Sequence, residues 1–510
     1  MATDTPESDG DSDAESAPAP YPEFEDHVKQ LTYLNNVGSV LGWDQQVTMP
    51  EGGTPARSKQ SAALSAVTHE RLTDDRVGEW LDELDDTDLD GGQRAVTREI
   101  RREHERAVEV PEDLVSEISE TASNALPVWE EAKAEDDFDA FAPTLERMID
   151  LKRDYAEAID PDRDPYAVLF EDYEPYLGLD TAERILERLR DELVPLIDEI
   201  EDSDVSLADP FAEGEYSPDA QEETVRAALD DLGYDWDRGR LDTAAHPFST
   251  GTQFDARITT RFDPEDPMGA IGSTIHEFGH ATYTLGLPDE HYGTPLGQSR
   301  DLSVHESQSR LWENHVGRSR PFWDRFADTV NEHLGVDAAP REFYEAANQI
   351  YPDNLIRVEA DELTYHMHII LRFEIERDLI AGDLDVEEVP QVWNDKMEEY
   401  LGVRPETDSE GCLQDIHWTH GSLGYFPTYS LGSVMAAQLY AHAEDDIDDL
   451  DEKIRAGEFG PLHDWLTEHV HRHGCRYETD DLVREATGES FTADYFLDYA
   501  QSKFGDLYDL

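Results

Sequence analysis

The five residues His276-Glu277-Phe278-Gly279-His280 restrict the fold more than any other stretch of this chain. Histidines at i and i+4 share one face of an α-helix, one turn apart, so both imidazoles can reach one metal ion. On a strand they would lie about 13 Å apart. The glutamate beside the first histidine can take a proton from a water activated by that ion. A catalytic site of this kind uses three protein ligands and keeps one position open. The fold must therefore press a second element against the helix to deliver the third. Glu306, 26 residues past His280 (306 − 280), is the first candidate, with His305, Glu313 and His315 as rivals. Glu313 shares a helical face with Glu306 and suits a partner that orients a ligand histidine.

The surrounding chain is mainly helical. Apolar residues recur at helical spacing from Phe24 to Leu41, and almost continuously from about Asp75 to Leu232. Pro195 is expected to kink or divide the amphipathic run Ala182–Ile200. Trp43 and Asp44 read as an anchor and a helix cap, and Asp164 to Phe170 as packing or groove lining rather than chemistry. Residues 254–262 alternate and are β-branched, predicting a strand directly before the metal helix, which is read as Met268–Leu285. As an edge strand it could hold an extended peptide by main-chain hydrogen bonds. His246, before Pro247, is a further candidate for a groove. His469-x-His471-x-His473 faces alternate sides of any helix and reads as a surface cluster rather than a second metal site.

Charge excludes some functions. With 40 basic against 119 acidic residues the net charge is −79, which argues against a nucleic-acid binder. The 38% hydrophobic content and nine tryptophans argue against wholesale disorder, except in the acidic tail of residues 1–20. Only seven of the 40 basic residues are lysine. A solvated acidic surface of this kind fits a folded protein in a salt-rich cytoplasm, where ions screen self-repulsion. Cys412 and Cys475 make no disulfide framework. No apolar run approaches membrane-spanning length, and no secretory leader pattern opens the chain, so the expectation is a cytoplasmic protein with no membrane partner.

Taken in order, the motifs resemble the carboxypeptidase Taq family of metallocarboxypeptidases. They are Asp255-x-Arg257-x-Thr259, His276-Glu277-x-x-His280, His305-Glu306-Ser307-Gln308-Ser309, Ile356-Arg357-x-x-Ala360-Asp361 and Gly411-x-x-Gln414-Asp415-x-His417-Trp418. Trp43-Asp44 and Gly424-Tyr425-Phe426-Pro427-Thr428-Tyr429 are also similar to that family. The likeness runs from about residue 21 to the end, and residues 21–510 are expected to form one metallocarboxypeptidase domain. The acidic tail and surface depart from the family and bear on environment rather than on the site.

The resemblance implies a mainly helical fold of two lobes flanking a deep groove, with a small sheet beside the metal helix. It implies a homodimer with one zinc ion per subunit, or cobalt, held by His276, His280 and Glu306. The implied activity is release of single residues from peptide carboxyl ends, with Glu277 as general base. An endopeptidase or oligopeptidase of similar fold is the main rival, and a helical scaffold with a structural metal the second. By resemblance, Arg257 and Arg357 bind the substrate carboxylate, the task that a bidentate guanidinium suits. Also by resemblance, His417 and one of Tyr425 or Tyr429 assist the anionic intermediate.

Overall fold

The computed structural model describes residues 19–212 and 214–510, so the expected acidic tail lies outside the described residues up to position 18. Four helices come first: Tyr21–Val47, Thr54–Leu72, Asp75–Asp85 and Gly91–Glu109. Their starts follow from capping chemistry. The Asp74 side chain accepts from the Arg76 amide, and Asp90 and Gln93 form a reciprocal capping box. Phe24, Val28, Val77, Leu81, Val96 and Ile100, spaced three or four apart on their helices, close a small core of their own. The first helix runs through Trp43 and Asp44 without a break. Asp44 is therefore no cap, and it pairs with Arg57 of the next helix at 2.5 Å.

The rest of the chain builds a second, far larger core, reaching from Ala125 to Tyr508. Leu179–Glu201 is one uninterrupted helix with Pro195 inside it, so the expected division does not occur. Leu189, Leu193, Leu196 and Ile197 are buried on both sides of the proline, and that packing holds the helix together across the missing hydrogen bond. The two cores are joined where Arg300 donates to both oxygens of buried Glu99 at 2.9 Å. Removing one partner of such a pair costs about 3–5 kcal/mol.

Three short strands are present: β1 (Gly239–Thr243), β2 (Ser249–Thr252) and β3 (Asp255–Thr260). The order is β1-β3-β2, with β3 parallel to β1 and antiparallel to β2. The expected strand is thus the centre of the sheet rather than an edge. Its partners were not legible because Gly-Arg-Leu-Asp-Thr and Ser-Thr-Gly-Thr carry almost no apolar alternation. Ala256, Ile258 and Thr260 turn one way and bury against the metal helix, where the Thr260 and Thr274 hydroxyls bond at 3.0 Å. Asp255 and Arg257 turn the other way.

The metal helix spans Pro267–Gly286, opened by Pro267 and by Asp266, which accepts from the Gly269 amide. A loop leads to the helix Leu302–Arg310, which continues as a wider π-helical stretch over Leu311–Gly317. A third helix, Pro427–Asp446, packs across Leu302–Arg310 from the other side.

Candidate active site

Two glycines set how closely these helices meet. A methyl group on Gly279 would lie 2.5 Å from the Gln308 carbonyl and the Ser309 Cα, so this residue is what lets the metal helix touch Leu302–Arg310. A methyl group on Gly432 would lie 2.5 Å from the Glu306 side chain. The helix that carries the third candidate ligand is thereby pressed between two backbones.

His276, His280 and Glu306 come together, with one ligand atom of each within 4.8 Å of the others. Glu306 Oε2 stands 3.7 Å from His276 Nε2 and 3.6 Å from His280 Nε2. Both imidazoles are fixed from behind. His276 Nδ1 donates to Glu313 Oε2 at 2.8 Å, and His280 Nδ1 donates to the His305 carbonyl at 3.1 Å. In the neutral ring that a metal ligand requires, each Nε2 is therefore the nitrogen left free to face the centre. Of the rivals for the third ligand, His305 offers its carbonyl to His280, Glu313 orients His276, and His315 turns away to stack on Tyr440.

The carboxylates are held by one guanidinium that the motifs did not reveal. Arg310 donates to Glu306 Oε1 at 2.7 Å and to Glu313 Oε2 at 3.2 Å, and Arg318 donates to Glu313 Oε1 at 2.8 Å. Burial works against ionising Glu313, but Arg310 and Arg318 hold its carboxyl well below the usual range. The spacing Glu306, Arg310, Glu313 was the available signal, since i+4 and i+3 steps put all three on one helical face.

Glu277 is different. It is 6% exposed, its Oε2 has no hydrogen-bond partner among the described residues, and burial pushes its carboxyl up to about 7. Two neutral imidazoles and a carboxylate, beside a carboxylate bonded to nothing, fit a divalent metal with one open position.

A second cluster lies across Tyr365, whose ring is covered by Arg310 at 5.1 Å and whose hydroxyl accepts from Arg357 at 3.2 Å. Arg357 is buried and donates twice to Asp415 Oδ1, at 3.0 and 2.8 Å, while Arg372 donates to Asp415 Oδ2 at 2.6 Å. His417 packs on Phe426 and Tyr425, with ring centroids 4.6 and 5.5 Å away, and burial lowers it to about 4. The Tyr425 and Tyr429 hydroxyls are 3.5 Å apart, and Arg357 sits 5.6 Å from the Tyr429 ring. Arg357, His417, Tyr425 and Tyr429 are thus neighbours.

Arg257 is not among them. It forms a bidentate pair with Asp255 and lies 4.4 Å over the Trp43 ring, on the face of the sheet opposite the metal helix. His246 is exposed in the turn between β1 and β2. His471 corrects an expectation: it is 1% exposed, its Nε2 donates to Gln308 Oε1 at 3.0 Å, and its ring packs on Tyr283. It sits on a short 3₁₀ turn, so helical alternation does not describe it.

Comparison with known proteins agrees with this geometry. Residues 23–504 match the model of the carboxypeptidase Taq (M32) metallopeptidases. Thermostable carboxypeptidase 1 of Thermus thermophilus is 39% identical over 96% of this chain and 99% of its own. Carboxypeptidase 1 of Bacillus subtilis is 36% identical over 95% and 98%. A solved structure of Pyrococcus furiosus carboxypeptidase superposes with a TM-score of 0.93, at 38% identity over 96% of this chain and 99% of the other. For the M32 carboxypeptidase of Deinococcus radiodurans the TM-score is 0.92, at 36% identity over 96% and 99%. Five ordered motifs, a clustered two-histidine, one-glutamate donor set and a match over nearly the whole length give one conclusion: the chain belongs to the carboxypeptidase Taq (M32) metallopeptidase family and is a metallocarboxypeptidase.

Proposed function

We propose that the chain removes residues singly from peptide carboxyl ends at the His276, His280 and Glu306 cluster, with Glu277 as the proton carrier. The observation that carries this is Glu277 Oε2, buried beside the donor set and bonded to nothing. A bound zinc ion, or cobalt, one per subunit, supplies Lewis-acid polarisation and makes water a nucleophile near neutral pH. Glu277 takes the proton of the attacking water and returns it to the leaving amine, a transfer favoured by a carboxyl that gains and loses a proton near 7. Glu313 and the His305 carbonyl keep both imidazoles in the required tautomer.

Arg357 is the better placed of the two candidate arginines for the terminal carboxylate, because the aromatic cluster joins it through Tyr365 and Arg310 to Glu306. Arg257 is occupied by Asp255 and ties the sheet to the first helix through Trp43. His417 with Tyr425 or Tyr429 stands as the donor set for the anionic intermediate. The deciding experiment compares a peptide with its carboxyl-amidated form: the free acid is hydrolysed, and equal hydrolysis of the amide overturns the reading.

The environment follows from the surface. A net charge of −79 supports work in a salt-rich cytoplasm, and no helix among the described residues is long and apolar enough to cross a membrane. A homodimer is carried over from the family resemblance, with Val37, Val40 and Val67, each 44–50% exposed, as apolar surface for it to cover.

A further inference from the structure

The π-helical stretch Leu311–Gly317 has two working sides. Glu313 faces the metal centre, while the next two residues, Asn314 and His315, line a separate cavity of about 460 Å³ behind it. Widened turns of this kind are rare and concentrate at functional positions. The cavity walls are aromatic: His315 stacks on Tyr440 at 5.0 Å and packs at a tilt against Tyr499 at 4.4 Å, and Tyr495 adds a fourth ring.

Two polar groups at this cavity lack partners. Asn314 is 5% exposed, and its Oδ1 accepts no hydrogen bond among the described residues. A buried acceptor left in that state has lost its hydration with nothing in exchange, and it calls for an N–H donor. Arg320, at the exposed rim, makes no ion pair among the described residues, in a chain where most arginines are paired with a carboxylate. It calls for an anion. Glu444 and Asp498, also on the rim, offer further charge to an ammonium group.

We infer that this cavity binds a free α-amino acid with an apolar or aromatic side chain. The ammonium would meet Asn314 Oδ1, the carboxylate Arg320, and the side chain the rings of His315, Tyr440 and Tyr499. A free α-amino acid carries all three parts on adjacent atoms. The same class of molecule is the product of a carboxypeptidase, so the protein generates the ligand itself. That source rests on the family's activity, whereas the binding site rests on the lining alone. Arg318, another wall residue, donates to Glu313, so the cavity shares a residue with the support of His276.

The test is calorimetric titration of L-phenylalanine into the metal-loaded protein. Two classes of site are expected, and Arg357→Ala removes the one at the active site. Arg320→Ala weakens the other about tenfold or more, the loss of one charge-assisted hydrogen bond. Ala441→Trp fills the cavity and abolishes it, providing a second variant should either one fold poorly. N-acetyl-L-phenylalanine and L-phenylalaninamide, each lacking one charged group, bind this class at least tenfold more weakly. A single class of site in the unaltered protein overturns the inference. So does a second class that survives both cavity variants, or one that takes the acetylated compound equally well. Persistence of the first class in Arg357→Ala bears on the proposed carboxylate anchor and leaves the cavity untouched.

Discussion

The metal cluster and the Arg357 cluster are built from similar parts and finished in opposite ways. Around His276 and His280 both Nδ1 atoms are tied off, Glu306 and Glu313 share Arg310, and only the inward-facing atoms and Glu277 remain free. Around Asp415 two guanidiniums compete for one carboxylate. Arg372 Nη2 and His417 Nδ1 are buried without partners among the described residues, as are both ring nitrogens of His368. The first arrangement is complete apart from one cation and one water. The second carries unpartnered polar groups, among them the Arg372 Nη2 donor, an arrangement that suits a partner that comes and goes. These two finishes fit the fixed ion and the transient carboxylate of the proposed function.

The largest effect should come from the one free group in the complete cluster. Glu277→Gln is expected to lower kcat about 10³-fold or more while metal content, measured on the purified protein, is unchanged. Retained activity would move the base elsewhere. Next is the second cluster: Arg357→Ala should reduce kcat/KM for free-acid peptides by about 10²-fold, with residual activity no longer discriminating against the amide. Glu313→Ala leaves every candidate ligand in place but frees the His276 ring, and metal affinity measured by chelator competition should fall about 10-fold to 100-fold. If affinity is unchanged, the tied-off nitrogens are not what completes the first cluster.

Smaller effects separate the arginines and the acid response. Arg257→Gln should change kcat/KM no more than about threefold, because its bonds are to Asp255 and Trp43. A loss matching that of Arg357→Ala would restore it as a carboxylate anchor. The smallest concerns pH. Burial opposes ionisation of Asp415, but Arg372 and Arg357 hold its carboxyl well below the ordinary value. A depressed folded pKa gives stability that is full above the unfolded value of about 4 and lost as pH falls towards the folded one. The melting-temperature difference between the unaltered protein and Asp415→Asn should therefore stay constant from pH 8 to about 5, then shrink below about 4.

What was legible in the chain was chemistry carried by side chains at helical spacing. His276, Glu277 and His280 declare themselves because one turn of helix fixes their geometry, whereas spacing left Glu306 with three rivals and the family resemblance singled it out. Apolar periodicity likewise exposed most helices. Features made by backbone contact were not legible. Nothing in Gly279 or Gly432 announces the helix it will touch, and β1 and β2 are too short and polar to show alternation. Pro195 was overestimated because burial on both sides outweighs one missing hydrogen bond. His471 was misjudged because a pattern valid for a helix was applied to a tighter turn. Arg310 was overlooked although its spacing was visible, since in an acidic chain most arginines have a carboxylate within reach.

The two glycines around Leu302–Arg310 work as a gauge. Because Gly279 and Gly432 leave no clearance on either side, the position of Glu306 is set by the thickness of bare backbone. A single methyl group at either place would act as a shim, displacing the ligand from the two imidazoles while altering no ligand at all. With the proposed ligand set, variation at these two positions would tune metal retention from outside the coordination chemistry, and a search for metal-weakened forms of this fold would begin there.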